Sequence, residues 1–110
     1  MYDIYFLMEL PLPATAFSIL FALASGDKHG YAIMRETHGM GPATLYTTIQ
    51  RLLESRYIRE VAAPENADSR RRYYRLTDDG TSALKEELER MEAIVKKSKG
   101  LRLRPSESAS

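Results

Sequence analysis

Apolar and polar positions follow three different rhythms along this chain. Residues 14–24, ATAFSILFALA, are almost all apolar or small. The run is shorter than the roughly 20 residues that a bilayer span needs. It reads as a first helix, apolar nearly all round and so buried, and Ser25-Gly26-Asp27 stops it. Residues 29–37, HGYAIMRET, read as a short second helix with Ile33 and Met34 inward and Arg35 and Glu36 toward water. HGMG at 38–41 holds two glycines and breaks the chain. A third helix begins at Pro42, where a missing N–H does no harm. Leu45, Ile49, Leu52 and Leu53 then fall at i, i+4, i+7 and i+8, one apolar stripe.

The period next shortens to two. YIREVAA (57–63) reads as a strand, PENADS (64–69) as turn chemistry, and RRRYYRL (70–76) as the returning strand of a hairpin. Alternation puts Arg72, Tyr74 and Leu76 on one face and Arg71, Tyr73 and Arg75 on the other. Thr77 is placed to cap a long fourth helix, with Asp78 and Asp79 where the dipole favours acids. That helix runs to about Ser98, roughly 30 Å, with Lys96, Lys97 and Lys99 at its end and Gly100 as a stop. PSESAS (105–110) has the composition of a disordered tail.

Three helices, a hairpin and a long helix make a mainly α fold with a small β-hairpin. The expected architecture is a winged helix-turn-helix over residues 1–76, including an N-terminal arm at 1–13. A dimerisation helix follows over 77–100, and a tail over 101–110.

Composition narrows the class. The chain has 110 residues, 44% hydrophobic and 28% charged, and carries no cysteine. One soluble globular domain without disulfides or thiolate metal sites follows, and a cytoplasmic setting fits. Residues 14–24 also resemble a signal peptide, ending Ala22-Leu23-Ala24. However, Asp3 and Glu9 rather than lysine or arginine precede them, as do Pro11 and Pro13, so secretion is the weaker reading. Net charge is only +1, but SRRRYYR (69–75) concentrates four arginines in seven residues. A basic patch can engage phosphate on a nearly neutral chain.

The third helix carries unusual chemistry opposite its apolar stripe. Thr44, Thr47, Thr48 and Arg51 are assigned to its outer side, with Tyr46 on the flank. Short hydroxyls allow close approach to a DNA groove, and arginine reaches guanine O6 and N7 bidentately. Tyr46 either packs beneath the helix or offers its hydroxyl to a phosphate. Arg70, Arg71 and Arg72 lie where a wing would clamp the neighbouring backbone. The alternative for both features is a solvated charged surface. His29, beside Lys28, reads equally as a phosphate contact or a cap. The two histidines, His29 and His38, have no carboxylates in a ligand pattern, so no metal or other cofactor is expected. No acid, base and nucleophile set is visible, and an enzyme is not expected. The acids of 86–92 read as a solvated helix face.

Leu84, Leu88, Met91 and Val95 recur at spacings of four, three and four, widened by Ile94. Pairing of two copies is the economical cover for this seam. The other reading folds the helix back on its own domain.

LPLPATAFSILFALASGDKHGYAIMRE (10–36), GPATLYTTIQRLLESRYI (41–58) and RRRYYRLTDDG (70–80) closely resemble the PadR-like family of bacterial transcriptional regulators. The resemblance implies a winged helix-turn-helix with a C-terminal dimerisation helix, and the reading that follows is a homodimeric repressor on a pseudo-palindromic operator in double-stranded DNA. The C-terminal helix would pack on the partner's N-terminal helix. It also implies Thr44 and Tyr46 at the DNA surface, His29, Gly30 and Tyr31 near phosphate, and the wing arginines around the duplex. A small-molecule effector near the dimer interface is a further expectation. Tyr2, Tyr5, Phe6, Met8, Met91 and Ile94 are the material that would line such a site. Two departures stand out: Ala43 replaces the family's usual glycine, and the stretch from Met34 to Gly41 is several residues short. A winged-helix module that binds protein rather than DNA remains the rival reading.

Overall fold

The computed structural model describes residues 11–103. The expected arm at 1–10, with Tyr2, Tyr5, Phe6 and Met8, and the tail beyond residue 103 lie outside the described residues. The elements in order are α1 (Ala14–Leu23), β1 (Lys28–His29), α2 (Gly30–Glu36), α3 (Pro42–Glu54), β2 (Ile58–Val61), β3 (Tyr73–Leu76) and α4 (Asp78–Ser98).

α1 is the hub. Ala16, Ile19, Leu20 and Leu23, at i, i+3, i+4 and i+7, are buried against the other helices and the sheet. Burial of each leucine or isoleucine contributes about 1.5–3 kcal/mol. The helix is not covered all round: Phe21 is 57% exposed and Phe17, stacked on it at 5.8 Å, is only half-buried. Lys28 closes its C-terminal end by donating Nζ to the carbonyl of Ala22 and to Ser25 Oγ.

α2 ends early. Thr37 turns its hydroxyl back to the carbonyl of Ile33 at 2.9 Å, and Gly39 takes a left-handed φ of 85°. Gly41 then caps α3 with extended backbone. The short Met34–Gly41 stretch is thus met by a seven-residue α2 and a tight turn. α3 ends without glycine. Arg56 takes φ 62°, its N–H donates to Leu53, and the Tyr57 N–H donates to Leu52. This is a Schellman closure, held by a side chain that incurs about 1 kcal/mol of steric cost there.

The hairpin is shorter than its sequence pattern suggests. Its strands pair only over Ile58–Val61 and Tyr73–Leu76, so Arg70, Arg71 and Arg72 belong to the connecting loop rather than to β3. A third strand joins it. β1 pairs antiparallel with β3 through Lys28 opposite Tyr74 and His29 opposite Tyr73, giving the order β1-β3-β2.

α4 is anchored at its start. Thr77 Oγ1 accepts the Gly80 N–H at 3.0 Å and donates to the Arg56 carbonyl at 2.6 Å. Gly80 lies so close to the residue before β2 that a Cβ would sit 1.9 Å from the Tyr57 carbonyl oxygen, which excludes any side chain. Glu87, expected in water, is 2% exposed. Its carboxylate accepts the Leu12 N–H at 3.3 Å and holds Arg90 at 2.5 Å, fastening the segment before α1 to α4. The Arg90 bond, helped by that N–H, keeps the Glu87 carboxyl below its usual range despite burial.

Candidate nucleic-acid interface

α3 presents two faces. Leu45, Ile49 and Leu52 are buried, while Thr44, Tyr46, Thr47 and Arg51 are open to solvent. Thr48 does not join them, contrary to its assignment from sequence. At 100° per residue it stands about 60° from Leu45, which turns it inward. It is 6% exposed, and its hydroxyl donates to the Thr44 carbonyl at 2.7 Å. Gln50, missed in the sequence reading, occupies the open face instead. Its position one turn beyond Thr47 was the available signal. Pro42 opens the helix and no side chain caps it, so the Ala43 and Thr44 N–H groups have no helical acceptor.

Beside this face lies a cleft of about 410 Å³ lined by His29, Gly30, Tyr31, Tyr46, Arg70, Arg71, Arg72 and Tyr74. The strand register builds it. His29 faces Tyr73 across the β1–β3 ladder, so the chain leaving β1 into α2 runs beside the arginines that enter β3. Gly30 is buried and makes the contact possible by lacking a side chain. A Cβ there would stand 2.9 Å from the Tyr46 hydroxyl oxygen. Gly30 has a packing role besides its place in the cleft: it lets the Tyr46 ring lie against the start of α2. Tyr46 itself is 53% exposed, so it both covers Gly30 and opens its flank to solvent.

The three wing arginines differ. Arg70 is held by Asp68, which accepts its backbone N–H at 3.0 Å and its Nε at 3.1 Å. Arg72 stands 3.8 Å from Glu60. Arg71 reaches across to place Nη1 2.7 Å from His29 Nε2. Next to them Arg75 is committed elsewhere, gripping Asp27 through two bonds of 2.8 and 2.7 Å. That grip holds the Asp27 carboxyl below its usual range. None of the residues lining the cleft is acidic.

His29 serves as a cap: its Nδ1 accepts the Ala32 N–H at 3.2 Å. Tyr73 meets its ring edge-on at 5.3 Å, and Arg35 lies 5.4 Å from the centre of Tyr31. Partial burial first, then the charges of Arg71 and Arg35, lower the imidazole pKa from its ordinary 6.5, so the ring is neutral at pH 7.

The expected dimerisation seam divides. Leu84 is 4% exposed and belongs to the chain's own core, because the anchored first half of α4 lies on α1. This corrects its place in the seam. Met91 is half-buried, whereas Leu88, Ile94 and Val95 are open at 37%, 54% and 55%. Among the described residues no group of three His, Cys, Asp or Glu side chains could hold a metal ion, and no helix is long and apolar enough to cross a membrane.

Comparison with known proteins gives these features a context. The transcriptional regulator PadR-like family matches residues 19–86, more than half of the chain. Among solved structures, a PadR family transcription regulator from Clostridium difficile R20291 superposes with a TM-score of 0.70 at 23% identity, covering 79% of this chain and 96% of that one. ZitR of Lactococcus lactis gives 0.71 at 23% identity, over 83% of this chain but only 60% of its own length. A transcriptional regulator from Clostridium thermocellum gives 0.62 at 30% identity, over 79% and 92%. No curated protein matches.

Proposed function

We infer how this chain acts from one premise: it belongs to the PadR-like family of transcriptional regulators. Its biochemical role is that of a DNA-binding regulator, and it is not an enzyme. The finer reading is a cytoplasmic homodimeric repressor. α3 enters the major groove with Thr44, Thr47, Gln50 and Arg51 toward the bases. The Arg70–Arg72 loop grips the flanking backbone, and the open half of α4 joins two copies. Such a dimer sets two reading helices about 34 Å apart, one turn of duplex, on a pseudo-palindromic operator. Occupying the operator excludes polymerase. A small-molecule effector that prefers a different spacing of the two α3 helices would release the DNA.

One observation carries this reading. The open polar face of α3 runs into a cleft that gathers three guanidinium groups and no carboxylate in its lining. Such a surface suits a polyanion rather than a neutral protein partner. The test is selection of bound sites from random duplex DNA, followed by mobility shift on the recovered sequence. Enrichment of a twofold-related site with half-sites about one turn apart is expected. No enrichment, and no shift at low salt, would transfer the function to the rival protein-binding module.

A further inference from the structure

The open apolar surface of α4 has two edges. At 100° per residue, Leu88 and Val95 share one line along the helix within about 20°, and Glu87 and Ile94 share another about 100° away, with Met91 between them. The chain is already fastened to the Glu87 line. Leu12 is buried there and donates its N–H to the Glu87 carboxylate at 3.3 Å. From that point α1 leads along the first half of α4, where Ala83 and Leu84 are buried. The second half leaves Met91 half-buried and Ile94 exposed, and it begins where the chain before Leu12 arrives.

The residues before Leu12 have the chemistry of a cover. Eight of residues 1–10 are apolar or aromatic, and the other two, Asp3 and Glu9, are acids. The exposed edge offers the opposite charge. Arg90 and Lys97 stand within about 80° of the Glu87 line, whereas Glu89 and Glu92 stand about 140–160° round from it. Arg90 spends Nε and Nη2 on Glu87, and a guanidinium has five donors, so the same group can bond a second carboxylate. Reach is sufficient. From Glu87 to Ser98 the helix rises about 16 Å, and ten residues span roughly 15 Å as a helix or 33 Å extended. A segment tethered at Leu12 also meets this edge at high effective concentration, an advantage that no second copy has.

We propose that residues 1–10 run antiparallel along the Glu87–Ile94 edge of the same chain's α4, as a strap. Their apolar side chains cover Met91 and Ile94, with Glu9 at Arg90 and Asp3 at Lys97. The strap closes one edge of the stripe and leaves Leu88 and Val95 for a second copy. It involves no DNA and stands apart from the DNA-binding reading.

The chain has no cysteine, so disulfide trapping reads this placement without background. Full chains carry Tyr5→Cys together with Met91→Cys, Ile94→Cys or Ser98→Cys, or with Lys85→Cys on the far side of α4. Bond formation is followed on non-reducing gels. The fastest of the first three pairs should close within one chain, at least about tenfold faster than the Lys85 pair. Lys85 lies nearer the tether, so an arm without a seat would reach it at least as readily. Equal rates at all four positions would overturn the strap. A covalent dimer as the main product would also overturn it, by giving the edge to the arm of a second copy. A cysteine-free chain supplies the second readout. Glu9→Lys should speed amide hydrogen exchange over residues 91–97 and leave residues 80–86 unchanged; unaltered exchange over 91–97 would reject the strap. Sedimentation of the same chains keeps the two readings apart. Intrachain closure in a monomer would support the strap and reject pairing through α4.

Discussion

The wing cleft and the far half of α4 are both left open by the fold, for opposite reasons. The cleft is open because charge is at ease in water. Arg71 and Arg72 are exposed, and their cost falls only on whatever displaces their hydration. The far half of α4 exposes Leu88, Ile94 and Val95, which water does not favour. A leucine or valine left uncovered forgoes about 1.5–3 kcal/mol. The same helix supplies the control: Leu84, one turn before Leu88, is already covered by the chain's own core. A cleft of the first kind can wait for its ligand. A surface of the second kind favours a partner at all times, so in the proposed dimer pairing would precede DNA binding.

The sharpest way to break this contrast is Leu88→Asp. A carboxylate in the apolar stripe should abolish pairing and, with it, about 100-fold or more of operator affinity. The helical circular dichroism of each chain should survive. Sedimentation velocity that still reports a dimer would place the pairing surface elsewhere. Next in size is the double change Arg71→Gln with Arg72→Gln. It should weaken binding to every sequence and reduce the salt slope by up to about 2; an unaltered slope, measured by titration in salt, would detach the cleft from DNA. Arg51→Ala should cost about 1–3 kcal/mol and relax preference at a single base pair. Binding to a panel of single-base operator variants reads this directly.

The smallest effect concerns pH. The folded-state pKa of His29 is lowered, so the neutral ring is the form that folding favours. Its contribution to stability is full above the ordinary imidazole value and is lost as pH falls through it toward the lower folded value. The loss is bounded by the helix cap, on the order of 1 kcal/mol. Urea midpoints at pH 7.5 and 5.5 should therefore converge between wild type and His29→Asn at the acidic end. Equal gaps at both pH values would show that the ring does not titrate as described.

Much of this was legible in the residues. The stripe of α3, the Thr77 cap, the hairpin and the winged fold all rest on local patterns of period 3.6 or 2, which a sequence carries openly. What escaped depended on neighbours. β1 has two residues and no period, and exists only because β3 offers an edge. Polarity groups Thr48 with the outer threonines, although its angle places it with Leu45. Glu87 sits among Glu86, Glu89 and Glu92 and looks like them. Only the approach of Leu12 and Arg90 makes its burial tolerable. Leu84 and Leu88 follow the same spacing, and no spacing says that one meets its own chain and the other does not. In the site itself, the sequence offers Tyr46, Tyr31 and the wing arginines only as separate expectations. Their convergence on one cleft needed the β1–β3 register.

Thr77 is the single residue between β3 and α4, and it is bonded on both sides: its N–H to the Tyr57 carbonyl, its hydroxyl to the Arg56 carbonyl. Gly80 leaves no clearance behind it. The joint therefore has no slack. A rotation of α4 at this joint would strain these bonds. The strand that leaves the wing and the helix that carries the open apolar stripe thus share one fixed point, the Tyr57 carbonyl.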